Sequence, residues 1–188
     1  DTARYAEPVL VSSTDGVGTK ALIAQSVGTF DTIGVDLVAM CVDDLVCQGA
    51  EPLFLLDYLA VGALDPDVVE QVVNGIAEGC RQARCALVGG EMAEHPGSMA
   101  PDRIDVAGFA VGVVERDRLI TGDQARPGDL LIGLPSPGLR SNGYSLARRV
   151  LLDVAGLPLD DLADDLLLPS VIYAPAVVDL LAEVDVRG

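Results

Sequence analysis

The sequence predicts an α/β (α+β) fold, and three observations predict it. Strand-like and helical patterns alternate along the chain, half of the residues are hydrophobic, and glycines and prolines fall between the patterned segments. With 188 residues the chain is long enough for one ordinary domain, or for one domain and part of another.

Residues 9–13 are apolar and strand-like, and residues 14–20 follow as a tight loop carrying Gly16 and Gly18. Residues 21–27 form a short helical stretch. A longer helix begins at Asp31, with Ile33, Leu37, Cys41 and Leu45 at helical spacing, and Gly49 and Pro52 stop it. Residues 53–59 read as a strand interrupted by Asp57. Asp65 and Pro66 make a helix start, Asp as N-cap and Pro at the first helical position, and Val68, Val69, Val72, Val73, Ile76 and Cys80 give that helix one apolar face. Residues 86–88 are a short buried-type strand that runs into a Gly89-Gly90-Glu91 loop. A polar loop at 95–103 leads to a strand over 104–114.

The character changes around residues 115–122. The expected division is therefore an N-terminal domain over 1–117 and the beginning of a second, truncated domain over 118–188. In the second part a turn at Arg126-Pro127-Gly128-Asp129 precedes a strand over 130–134. A loop follows over 135–143, then a helix over 144–154, an irregular acidic stretch over 157–168, and an amphipathic helix over 174–184. There is no internal repeat. The chain opens on Asp1-Thr2-Ala3 without Met and closes just after a helical pattern, so it reads as a fragment missing residues on each side.

A formal charge of −17, from 29 acidic and 12 basic residues, argues against nucleic acid as a partner. No apolar run reaches the ~20 residues of a membrane helix, and no signal-peptide pattern opens the chain, so a cytoplasmic protein is expected. Cys41, Cys47, Cys80 and Cys85 form no CxxC pair and read as reduced, buried small hydrophobes. An acidic protein that binds a phosphorylated molecule needs a metal, backbone N–H groups or a placed cation. Eleven of the basic residues are Arg, and the one lysine, Lys20, lies in the glycine-rich loop.

Four pieces carry candidate chemistry. In Asp15-Gly16-Val17-Gly18-Thr19-Lys20, the glycines free main-chain N–H groups, Lys20 offers a point charge and Asp15 can hold a divalent cation; an ordinary turn has the same composition. It is not a Walker A loop, because Thr19 stands where that loop needs Gly. Asp36 and Asp43, seven apart, share a helix face, and Asp44 sits between Val42 and Leu45, where a bare charge is costly. Glu91 begins a loop after a buried strand, suited to a metal or to plain solvation. Arg140-Ser141-Asn142-Gly143 precedes a helix and serves either as its cap or as a phosphate site. Asp57, inside an apolar strand, needs a partner. The single histidine, His95, reads as a surface residue, so no Ser–His–Asp set is arguable.

Taken in order, residues 14–20 (TDGVGTK), 31–52 (DTIGVDLVAMCVDDLVCQGAEP), 75–80 (GIAEGC), 87–94 (LVGGEMAE), 105–115 (DVAGFAVGVVE) and 141–145 (SNGYS) resemble the phosphoribosylformylglycinamidine cyclo-ligase (aminoimidazole ribonucleotide synthetase) family. The resemblance covers nearly the whole chain. Three positions depart from it: Met92 stands where Thr is expected, Arg140 where many relatives carry His, and Asp43 where Asn is common.

The resemblance implies an ATP- and Mg²⁺-dependent ring closure of formylglycinamidine ribonucleotide in purine biosynthesis. It implies a homodimer whose N-terminal ATP-binding domains, each a mixed sheet packed by helices, pair across the subunits. Carried over residue by residue, it puts Asp15, Asp44 and Glu91 on metal and nucleotide, with Lys20, Asp44 and Asn142 in catalysis. Gly16, Gly18, Thr19, Lys20, Gly89 and Gly90 fall on nucleotide or phosphate, and Arg140, Ser141, Asn142, Gly143 and Asp57 on substrate. A truncated chain is expected to be weak or inactive. The rivals are sister ATP-using enzymes (thiamine-monophosphate kinase, selenophosphate synthetase, a hydrogenase maturation dehydratase, formylglycinamidine ribonucleotide synthetase) and a non-catalytic acidic module.

Overall fold

The computed structural model describes residues 4–188; the first three positions of the expected N-terminal domain, and the reading of that chain end, lie outside them. The elements are β1 (Pro8–Gly16), α1 (Ala21–Val27), α2 (Asp31–Val46), β2 (Glu51–Val61), α3 (Pro66–Gln82), β3 (Ala86–Glu94), β4 (Ile104–Glu115), α4 (Tyr144–Arg148), α5 (Ala163–Leu167) and α6 (Ala174–Leu181). The expected α/β architecture is present. Four strands form one mixed sheet in the order β1-β4-β2-β3. β4 runs antiparallel to both β1 and β2, while β2 and β3 are parallel and joined through α3.

α2 is apolar almost all round, and the fold uses it as the central layer. Its Ile33, Leu37, Val38, Cys41, Val42 and Leu45 are fully buried, with the sheet on one side. α3 packs closely beside it because glycines line the crossing: a Cβ on Gly75 would collide with the carbonyl of Asp31. α3 begins as its sequence predicts, with Asp65 Oδ1 accepting from the Asp67 N–H at 3.0 Å and Pro66 at the first position.

Alternation along the strands sends Leu55, Leu59, Val106 and Ala110 toward the helices. On the other face Leu10, Leu56, Tyr58 and Phe109 are exposed.

Three expectations are corrected. β1 continues through Asp15 and Gly16, and β3 runs through Gly89, Gly90 and Glu91 to Glu94, so these residues are ladder positions and not loops. Pairing with β4 and β2 respectively keeps them extended. Residues 130–134 make no strand: nothing pairs with them, and Leu130 and Leu131 are 93% and 98% exposed. Cys47 is exposed, while Cys41 and Cys80 are buried as expected; all four thiols are free.

Candidate functional site

The site grows from one end of α2. Ser13, two residues before Asp15 on the helix-facing side of β1, donates its hydroxyl to Asp44 Oδ2 at 3.0 Å, so Asp44 and Asp15 face the same corner of the sheet. Both carboxylates are exposed. For Asp44 this corrects the expectation of a charge trapped in an apolar helix: Val42 and Leu45 are buried, but the helix turns Asp44 outward. Asp15 Oδ1 accepts from the N–H of Gly16 at 2.7 Å. Gly18, at φ +66, bends the chain into the single turn Gly18–Lys20.

Lys20 does not reach out of that turn. It is fully buried, its ammonium 2.5 Å from Asp36 Oδ2, and it also donates to the carbonyls of Arg140 (3.1 Å) and Leu168 (2.9 Å). The expectation that Lys20 supplies a point charge to a phosphate is corrected, since these acceptors consume its donors. Burial pulls its pKa down, with Asp36 opposing. Asp36 is the buried acid of α2, and sequence reasoning did not single it out as a site residue.

Residues 140–145 lie against this turn. Thr19 and Ser145 hydroxyls meet at 3.1 Å, and Asn142 Nδ2 approaches Met40 Sδ at 3.8 Å. Gly143 takes φ +78 at the start of α4, and Ser141 is buried with no partner for its hydroxyl. Arg140 does not present its guanidinium to an open site. It donates to Asp43 Oδ2 (2.7 Å) and to the Val171 carbonyl (3.0 Å), so a free anion-binding role for it is corrected.

The other candidates sit elsewhere. Asp15, Gly108, Asp57 and Gly90 form one row across the sheet, which puts Gly90 three strands, about 14 Å, from Asp15. Asp57 lies between Gly108 and Gly90, and a Cβ on Gly90 would collide with its Oδ1. Gly90 therefore makes room for a carboxylate. Burial pushes the Asp57 carboxyl up, and no other side chain partners it among the described residues. Glu91 is exposed on the far edge strand, beside Tyr58, and accepts from the N–H of Met92 at 3.1 Å. Within one chain Ser13 ties Asp44 to the strand that carries Asp15, and residues 140–145 meet the Gly18–Lys20 turn and the Met40 and Asp43 side of α2, whereas Glu91, Gly89 and Gly90 lie on the far edge strand. Among the described residues no three His, Cys, Asp or Glu side chains are arranged to hold a metal ion.

A mixed four-stranded sheet with helices layered on one face is a fold also found in solved structures of a kinase and of a maturation protein. Thiamine-monophosphate kinase from Stenotrophomonas maltophilia K279a superposes with a TM-score of 0.66 at 23% identity, over 94% of this chain and 54% of that one. E. coli HypE, a hydrogenase maturation protein, gives 0.66 at 17% identity over 100% and 55%. At these identities the likeness is one of fold. The chain belongs to the family of AIR synthase related proteins, N-terminal domain, whose profile matches residues 2–114. The phosphoribosylformylglycinamidine cyclo-ligase of Symbiobacterium thermophilum is 58% identical to it, and that of Trichlorobacter lovleyi 56%, each over 100% of this chain. The chain spans 56% of the length of these relatives.

Proposed function

We propose that the protein is the ATP-handling part of a phosphoribosylformylglycinamidine cyclo-ligase, acting in de novo purine biosynthesis. The observation that carries the reading is 58% identity, over the whole chain, to a relative of that name. In the proposed reaction the formyl amide oxygen of formylglycinamidine ribonucleotide attacks the γ-phosphorus of ATP, and ADP leaves. An amidine nitrogen then attacks the activated carbon, the C–O bond breaks with release of phosphate, and loss of a proton leaves the imidazole ring. Phosphorylation is needed because an amide oxygen is a poor leaving group.

Asp15 and Asp44 are the residues proposed to hold magnesium. Two neighbouring carboxylates suit an ion that takes its other ligands from phosphates and water. When bound, it supplies the positive charge that a triphosphate needs beside so acidic a protein. The backbone at Gly16 and Gly18, with Thr19, is proposed to lie close to the phosphates, and Ser141, Asn142 and Gly143 to meet the phosphate or substrate end. An ATP complex of HypE, 25% identical with a TM-score of 0.50 over 64% of this chain and 35% of that one, supports nucleotide binding on this fold. Glu91 would join the site only through a second copy. The apolar sheet face carrying Leu10, Leu56, Tyr58 and Phe109 supports a homodimer paired through the sheets. A cytoplasmic location fits the reading; no described helix is long and apolar enough to cross a membrane.

The test is thermal melting of this chain with and without Mg-ATP. At ~100 times its dissociation constant a ligand adds ~2.7 kcal/mol. Stabilisation that is lost in Asp15→Asn supports the reading, and no shift at saturating Mg-ATP counts against it. A full-length protein carrying these residues should make ADP with formylglycinamidine ribonucleotide and not with thiamine monophosphate. This chain alone should turn over weakly or not at all.

A further inference from the structure

Asp36, Met40 and Asp43, four and three residues apart on one face of α2, each hold part of the chain beyond residue 139. Met40 Sδ faces Asn142. Asp43 takes Arg140 and the N–H groups of Tyr173 and Ala174. Asp36 does most. Its Oδ2 pairs with Lys20, and its Oδ1 accepts from both the N–H (2.8 Å) and the hydroxyl (2.6 Å) of Ser170. Lys20 passes the connection on to the carbonyls of Arg140 and Leu168, and its ammonium lies 5.5 Å from the ring centre of Tyr144. One fully buried ion pair thus fixes the backbone at 140, 168 and 170.

Stability alone does not call for this arrangement. Buried ion pairs are commonly replaced by apolar residues of similar volume without loss of stability, whereas directional bonds to named backbone atoms specify a geometry that apolar contacts leave loose. The neighbours of the fixed atoms make that geometry matter. Arg140, whose carbonyl Lys20 holds, directly precedes Ser141, with its unpartnered buried hydroxyl, and the turn that holds it meets Ser145 through Thr19.

We infer that Asp36 is a positioning residue: through Lys20 and Ser170 it seats residues 140–145 on the Gly18–Lys20 turn. That this seating serves a phosphate-bearing substrate rests on the function proposed above; the seating itself does not.

Amide hydrogen exchange on this chain, read by mass spectrometry, tests the seating in wild type, Asp36→Asn and the double variant Lys20→Met/Asp36→Leu. In Asp36→Asn the amides of residues 141–148 and of Ser170 should exchange at least tenfold faster, with those of β2 and β4 changed less than twofold. Asp36→Asn leaves a buried ammonium unpaired; if it unfolds globally, the double variant, free of buried charge, gives the reading. The double variant should keep the sheet protected while residues 141–148 loosen at least tenfold. Titration with ribose 5-phosphate and with a non-hydrolysable ATP analogue plus magnesium then separates positioning from general support. The double variant should lose at least tenfold in ribose 5-phosphate affinity and less than threefold in nucleotide affinity. Wild-type protection of residues 141–148 in the double variant overturns the inference, and loosening with ribose 5-phosphate affinity unchanged overturns the claim that the seating serves a phosphate-bearing substrate. Should wild type bind neither probe, the functional reading falls, and the exchange result still decides the seating.

Discussion

Arg140 and Asp43, ninety-seven residues apart in sequence, form an ion pair with Nη2 2.7 Å from Oδ2, and both depart from the residues expected on family resemblance. Arg140 sits at φ +60, a conformation uncommon for a residue with a side chain, with its guanidinium 5.1 Å from the Tyr173 ring centre. The other Asp43 oxygen accepts from the N–H groups of Tyr173 and Ala174, both at 2.9 Å, where α6 begins. The two departures therefore complete one another: an acid at 43 caps a helix start and anchors the arginine, and the arginine offsets the acid's charge.

Removing the arginine should expose that dependence. Arg140→Met is expected to cost about 2 kcal/mol in urea denaturation at neutral pH, because it strands a largely buried carboxylate. Burial already holds the Asp43 pKa above its ordinary value, with Arg140 opposing. An acid with a raised folded pKa binds its proton more tightly folded than unfolded, so its contribution is favourable at low pH and is lost as pH rises through the folded pKa. The Arg140→Met deficit should accordingly shrink at pH 4–5 and be full above pH 7. A pH-independent deficit would count against the pairing.

Gly75→Ala should destabilise the protein by roughly 2 kcal/mol although Ala is the better helix former by about 1 kcal/mol, since the new methyl meets the Asp31 carbonyl where α2 and α3 cross. The shift of the denaturation midpoint reads this directly. A stabilised variant would mean that the helices are not so close.

Gly90→Ala and Asp57→Ala should be non-additive. The first crowds both the Asp57 carboxylate and the Asp57 backbone carbonyl, 2.6 Å from the added Cβ, and is expected to cost about 1–3 kcal/mol; in an Asp57→Ala background the carboxylate's share of that cost should vanish while the carbonyl's share stays. A double-mutant cycle measures the coupling, and additive effects would refute the contact.

The thiols should separate by reactivity. Cys47 is exposed, although partial burial raises its pKa, whereas burial pushes the Cys41 thiol up to about 12, and a hydrogen bond with the Cys85 thiol, together with burial, raises that of Cys80. Maleimide labelling at pH 8 should modify Cys47 first and leave Cys41 and Cys80 untouched until denaturant is added. Prompt labelling of Cys41 would contradict the buried α2 layer.

The open sheet face makes its own prediction. Phe109→Arg or Leu10→Glu should turn the proposed dimer into a monomer by light scattering without lowering the melting temperature of the monomer, because both side chains are exposed in the single chain. Unchanged mass would remove the sheet face as the interface.

Local physics in the sequence was enough for much of the fold. Asp65 and Pro66 start α3 because a side-chain cap and a fixed φ act within one turn, and the apolar period over 33–45 marks a helix wherever it packs. The same motifs carried the family, and it was that resemblance, not spacing, that assigned Asp15 and Asp44 to one site. Tertiary structure alone decided which carboxylate of α2 is buried. The helix is apolar nearly all round, so its period fixes the angles between Asp36, Asp43 and Asp44 but not which faces the sheet, the solvent or the residues beyond 139. It also decided that Gly89, Gly90 and Glu91 are strand and that residues 130–134 are not, because a strand exists only where another strand accepts its hydrogen bonds. Lys20 went inward for a related reason: a charge goes where its partners are, and Asp36 and the carbonyls of Arg140 and Leu168 come from distant parts of the chain that meet only once it has folded.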